Sequence, residues 1–203
     1  HGARGPADSL QQALTQGAPA AAMMKGTVID LRQVVDFLST RAEVDPQKIG
    51  FVGFSLGGIL GAMLSGADER IATTVLVDAG ADWQTLLSGT SIDWIAALRT
   101  SDPAFVTRAA RALDSLDPQF WVSEISPRPL MLVRGKNDTV IPVESTDVLV
   151  AAAGKSATVF QYDGGHDLVG PSELTVRRTI LNFVSKHLAT GTPSGGGEAV
   201  TRP

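Results

Sequence analysis

The 203-residue chain contains no cysteine. Disulfides, thiolate metal sites and a cysteine nucleophile are therefore excluded, and the redox compartment is left open. Histidine is scarce too, with three in the chain, and no two of them have the helical spacing of metal ligands, so neither a catalytic metal nor a cofactor is expected. Lysine and arginine number 17 against 21 acidic residues, for a formal charge of −4. That balance gives no basic footprint for nucleic acid or an anionic membrane. No apolar run approaches the ~20 residues of a membrane span, and no signal peptide opens the chain, so the expected compartment is the cytoplasm. Phosphate-loop patterns are missing as well: Gly50-Phe51-Val52-Gly53 breaks G-x-G-x-x-G, and no Gly-Lys-Ser/Thr occurs.

What is present suits one globular domain. Hydrophobic residues make up 43% and charged residues 19%, enough to bury a sizeable core. Helices are expected over Asp8–Gln16 and Gly26–Arg41, the second from Val28, Leu31, Val34, Val35 and Leu38 at helical spacing. Pro46 closes that element. Ile49–Phe54, Thr73–Val77, Leu130–Val133 and Thr158–Tyr162 read as short strands. Leu56–Ser65, Val143–Ala153 and Glu173–Leu188 read as helices between and after them. Such alternation indicates a mostly parallel sheet with helices on both faces. Residues 81–124 contain all three tryptophans and no convincing strand, and read as a helical insertion within a domain spanning 1–189. Residues 190–203 are Gly/Pro/Ser-rich and read as a flexible tail.

Gly53-Phe54-Ser55-Leu56-Gly57 fits G-x-S-x-G between a strand and a helix. In that context the motif is a nucleophile elbow. A sharp turn forces strained angles on Ser55, and a side chain at position 53 or 57 is expected to collide with nearby backbone. The hydroxyl would stand at the carboxyl edge of the sheet, with the Leu56 amide aimed where an oxyanion forms. A serine needs a base, and the base needs an orienting acid. His1 is terminal and His187 lies on the last helix. His166, in the loop directly after the last strand, is the candidate base. Two acids fit the chain order Ser-Asp-His: Asp78 after the second strand and Asp138 after the third. The turn-rich loop around Asp138 favours it. Trp83, Trp94 and Trp121 are candidates for lining an acyl or alcohol pocket, or else form the insertion's own core.

These stretches resemble the α/β-hydrolase superfamily. The marks are Val44-Asp45-Pro46-Gln47-Lys48-Ile49-Gly50 leading into the elbow, Ser126-Pro127-Arg128-Pro129-Leu130, Gly135-Lys136-Asn137-Asp138 with Pro142, and Gly164-Gly165-His166. The likeness is nearest to bacterial serine esterases of the dienelactone-hydrolase and acetyl-xylan-esterase type. It implies Ser55 as nucleophile, Asp138 as acid and His166 as base. The complete fold has about eight strands, and only the last four are legible here. His1-Gly2-Ala3-Arg4-Gly5 is similar both to the H-G-x-x-G oxyanion loop and to the loop after the fourth strand in these esterases; too little chain lies between it and Gly26 for a further helix and strand, which favours the second. The amino-terminal strands and the second oxyanion donor are therefore expected upstream. Ile49–Phe54 would then be an exposed edge able to pair with a second copy. The implied activity is hydrolysis of small-molecule carboxylic esters. The alternatives are a peptidase or thioesterase on the same triad, or a silenced binding module.

Overall fold

The computed structural model describes residues 9–16 and 18–189. The opening His1–Gly5 and the expected tail from 190 onward lie outside them.

Helix α1 (Ser9–Gln16) leads to α2 (Ala18–Ser39), which begins well before the expected Gly26. The reason lies in Ala18-Pro19-Ala20-Ala21-Ala22-Met23-Met24. Alanine is the best helix former, and proline is tolerated in a first turn. Ala20 and Met24, one turn apart, are buried there.

Strands β1 (Ile49–Phe54), β2 (Ile71–Val77), β3 (Leu130–Gly135) and β4 (Thr158–Tyr162) form one sheet in the order β1-β2-β3-β4. Every pairing is parallel. Parallel neighbours require long crossovers, and helices supply them. Helix α3 (Leu56–Ala67) links β1 to β2, and α8 (Val143–Ala153) links β3 to β4. Between β2 and β3 run α4 (Trp83–Gly89), α5 (Asp93–Ser101), α6 (Phe105–Leu113) and α7 (Gln119–Val122), with 3-10 turns at Asp114–Leu116 and Ser123–Ile125. The closing helix is α9 (Glu173–Ala189).

The strand period of two sorts side chains between two layers. Val75, Val77, Met131 and Val133 pack with Val176 and Phe183 of α9. Leu76, Leu130 and Leu132 face the other way, onto a core shared with Ile59, Leu60 and Met63 of α3. The segment after β2 joins this second core through Phe105, Leu113 and Ile125, each fully buried. Strand β1 is an edge among the described residues. Val52 is 50% exposed and Phe54 42%.

Arg128 fastens the segment before β3 to the rest. Its guanidinium donates to the carbonyls of Asp68 (3.1 Å) and Ile71 (2.9 Å) through Nη1, and of Ser65 (2.6 Å) and Glu124 (3.2 Å) through Nη2. No lysine reaches so many acceptors with a fixed planar fork. Arg128→Ala is expected to destabilise the protein by about 3 kcal/mol, because hydrogen bonds to a charged group are lost and carbonyls are left unmatched. Arg128→Lys should recover little of that. The denaturant midpoint, at constant slope, measures both.

Candidate active site

Ser55 sits immediately after β1 with φ 55° and ψ −123°, at the N-cap of α3. A non-glycine residue at positive φ is strained, and persists only where its surroundings hold it. Here they do. The Ser55 amide donates to the Val77 carbonyl at 2.8 Å, which ties the turn to β2. The Ser55 carbonyl accepts from Gly58 (2.8 Å) and Ile59 (3.0 Å) and starts the helix. Leu56 is the first helical residue, so no helical carbonyl lies one turn earlier to accept from its amide.

The glycines divide in a way the motif does not reveal. A Cβ on Gly53 would lie 2.3 Å from the Gly57 carbonyl oxygen, so the expected collision is present there. A Cβ on Gly57 would meet nothing within 4 Å, contrary to expectation. The crowding falls one residue later. At Gly58 a Cβ would meet that of Ala79 at 2.8 Å, because the first turn of α3 presses on the end of β2.

His166 lies in the loop after β4, at the same carboxyl edge. Its Nε2 is 2.9 Å from Ser55 Oγ, and its Nδ1 is 2.8 Å from Asp138 Oδ2. A carboxylate can only accept, so Nδ1 carries the hydrogen and Nε2 presents a lone pair to the serine hydroxyl. Asp138 Oδ1 accepts from the Val140 and Ile141 amides at 2.9 Å each, which fixes the carboxylate from behind. Of the two candidate acids, Asp138 is the one whose carboxylate contacts the imidazole. Burial disfavours the charged imidazole of His166. The Asp138 hydrogen bond and charge, with smaller contributions from Asp78 and Asp167, outweigh that and raise its pKa above the ordinary 6.5.

Asp78 has a different set of partners. It is buried at φ 46°, and Oδ1 accepts from the Gly135 amide at 2.8 Å. Oδ2 lies 2.7 Å from the Tyr162 hydroxyl. Burial raises its pKa to about 6. Ligand atoms of Asp78, Asp138 and His166 fall within 4.8 Å of one another. A metal there would have to displace the imidazole–carboxylate bond and the Tyr162 contact together, so the cluster reads as a hydrogen-bond network rather than a cation site.

Two contributors escaped sequence reasoning. Phe54 lies beside the imidazole, with ring centroids 4.9 Å apart. Tyr162 joins Asp78 to the His166 loop. As the only tyrosine, placed where the last strand ends, it offered a signal that burial alone makes meaningful. The tryptophans lie in the helical layer. Trp121 lines a cavity of about 350 Å³ with Val28, Ile29, Met63 and Leu116. Trp83 lines a smaller one, about 220 Å³, with Asp114 and Asp117. Neither lining includes Ser55, Asp138 or His166. Trp94 is half-buried against the same helical core. The expected acyl pocket receives no support from these linings.

Comparison with known proteins agrees with the fold. The YtaP protein of Bacillus subtilis (strain 168) is 27% identical over 146 residues, which covers 71% of this chain and 45% of YtaP. The chain spans about half the length of the curated relatives it matches. The α/β hydrolase GrgF from Penicillium sp. sh18 superposes with a TM-score of 0.65 at 18% identity, covering 82% of this chain and 73% of GrgF. Acetyl xylan esterase 1 from Thermoanaerobacterium sp. JW/SL YS485 superposes with a TM-score of 0.60 at 18% identity, covering 77% of this chain and 52% of the esterase. Residues 18–190 match the prolyl oligopeptidase family. With that match over most of its length, and an α/β-hydrolase fold beneath it, the chain belongs to the prolyl oligopeptidase family of hydrolases.

Proposed function

We propose that this chain carries the catalytic centre of a serine hydrolase that cleaves carboxylic esters through an acyl-enzyme. One observation carries the reading: the imidazole of His166 bridges Ser55 Oγ and Asp138 Oδ2 at 2.9 and 2.8 Å. Ser55 Oγ attacks the ester carbonyl as Nε2 takes its proton. Asp138 keeps the tautomer and stabilises the imidazolium. The Leu56 amide, at the positive end of α3, donates to the tetrahedral oxyanion. The imidazolium then protonates the departing alkoxide, and an acyl group remains on Ser55. Water, deprotonated by the same nitrogen, attacks that carbonyl. Serine leaves with the returned proton, and the acid is released.

The family match favours a second reading on the same three side chains, amide or peptide hydrolysis. The two differ in the leaving group. An amine must be protonated to depart, whereas an activated phenolate departs without help.

A fluorophosphonate probe is expected to label Ser55 stoichiometrically and to leave Ser55→Ala unlabelled. Absence of labelling in well-folded protein would overturn the catalytic reading. p-Nitrophenyl acetate and butyrate, run against peptide p-nitroanilides, separate ester from amide preference. Faster turnover of the anilides would replace the ester assignment with the peptidase one.

A further inference from the structure

The Tyr162 hydroxyl faces two oxygens at once. It lies 2.7 Å from Asp78 Oδ2 and 2.7 Å from the carbonyl of Gly165, the residue before His166. A phenol has one hydrogen, while an ionised carboxylate and a peptide carbonyl are acceptors only. If Asp78 were ionised, one of the two contacts would be a pair of lone pairs at hydrogen-bond distance. A proton on Asp78 removes the conflict. The carboxyl donates to Tyr162 Oη, and Tyr162 donates to Gly165.

We propose that Asp78, in its acid form, and Tyr162 make a directed relay that positions the His166 loop over Ser55. The inference rests on the triad reading for its functional consequence. Asp78 and Tyr162 touch no reacting atom, and both are positioning residues.

Geometry gives the relay its anchor. Asp78 is held by β2 and by the amide of Gly135 at the end of β3. Tyr162 ends β4, and the loop it grips is short: Asp163, Gly164 and Gly165 separate it from His166. Gly165 in turn neighbours the Asp138 loop, where Asn137 donates to the Gly164 carbonyl at 3.0 Å. Asp78, Tyr162 and Gly165 therefore fix both loops that must meet at the imidazole. The charged groups around the pair are Asp138, His166 and Asp167. Burial, followed by the negative charge of Asp138, acts to keep the proton on Asp78, while Tyr162, Gly135 and His166 oppose it.

The test uses Asp78→Asn, Asp78→Ala and Tyr162→Phe, each checked by melting temperature. Asparagine reproduces the acid form: its oxygen accepts from Gly135, and its amide donates to Tyr162. Above about pH 6, where the parent's Asp78 gives up its proton, Asp78→Asn keeps the relay and should react with the fluorophosphonate faster than the parent. Asp78→Ala and Tyr162→Phe should be slower by about 10–100-fold, the loss typical when a supporting partner of a site is removed, and should lose it in kcat rather than KM toward p-nitrophenyl acetate. Asp78→Asn as slow as Asp78→Ala would overturn the proposal, and so would Tyr162→Phe as fast as the parent. A parent that labels while those variants show no pattern refutes the relay and leaves the triad standing.

A second readout is independent of catalysis. An acid whose pKa is raised on folding contributes stability that is complete below its unfolded pKa and fades as pH rises through the folded one. For Asp78 that window runs from about 4 to about 6. Across it the parent should lose stability relative to Asp78→Asn. A gain instead would show a carboxylate stabilised as an anion, and would overturn the proposal.

Discussion

Ser55→Ala is expected to lower kcat for p-nitrophenyl acetate by about 10⁶, and Asp138→Asn by about 10⁴. The ranking follows from what each group does. Without Ser55 Oγ there is no acyl-enzyme, and only binding and the oxyanion donors remain. Without the Asp138 charge the nucleophile survives, but His166 loses the acceptor that holds its Nδ1–H at 2.8 Å. An amide there can present its NH₂ instead and turn the imidazole to the wrong tautomer. Asparagine is the informative replacement. Its oxygen can still accept from Val140 and Ile141, so the loop keeps the two 2.9 Å bonds that shape it. Residues acting as one unit are not additive. The double variant Ser55→Ala/Asp138→Asn should therefore be no slower than Ser55→Ala alone. A further drop would place Asp138 outside the unit.

The pH profile tests the same assignment with a definite sign. Catalysis needs neutral His166, so kcat/KM should rise with pH along a limb centred above 6.5, where the Asp138 bond and charge hold the imidazolium. In Asp138→Asn that support is gone while the burial that opposes it persists, so the limb should move to lower pH. Movement to higher pH would show that another group dominates the imidazole.

Local signals in the chain went a long way, and their failures have physical causes. The elbow, the parallel strands and the loops bearing Asp138 and His166 are written in short patterns: an apolar run into G-x-S-x-G, prolines before Leu130, glycines before His166. The boundaries of β1, β4 and α8 fall where the residues place them. Helix α2 begins before its expected start because alanine carries no periodic hydrophobic signal, although Ala20 is fully buried. The Asp78–Tyr162–Gly165 contact was invisible for another reason. Its members are up to 87 residues apart in the chain (165 − 78), and nothing in their local sequence marks two protons ordered among three oxygens. The tryptophans left two readings open because aromatic content is equally a signature of core and of pocket. Only the packing of α3 against the helical segment separates the two.

Gly53→Ala and Gly57→Ala should move stability in opposite directions, although the motif treats these glycines as equivalents. At position 53 the new methyl would lie 2.3 Å from the Gly57 oxygen, 2.6 Å from its carbonyl carbon and 2.7 Å from the Phe51 ring. The Phe51 ring can swing aside. The Gly57 carbonyl cannot, because it belongs to the first turn of α3, pinned by the Ser55 carbonyl bonds and by Gly58 against Ala79. Overpacking a rigid contact costs about 1–3 kcal/mol and sometimes more, and this one should lie at the upper end, near 3 kcal/mol. That is a large share of the roughly 5–15 kcal/mol holding a typical domain together. At about 2–4 °C per kcal/mol for a chain of this size, the midpoint should fall by about 6–12 °C. Position 57 is a helical residue whose Cβ would meet nothing within 4 Å. Alanine there restricts the unfolded chain more than the helix and should stabilise by about 0.5–1 kcal/mol. Thermal unfolding of the two variants beside the parent decides the matter. Equal destabilisation would mean that the crowding of the elbow extends to Gly57. A tolerated Gly53→Ala would mean that the turn at Ser55 is looser than its left-handed backbone and the 2.8 Å bond to Val77 imply.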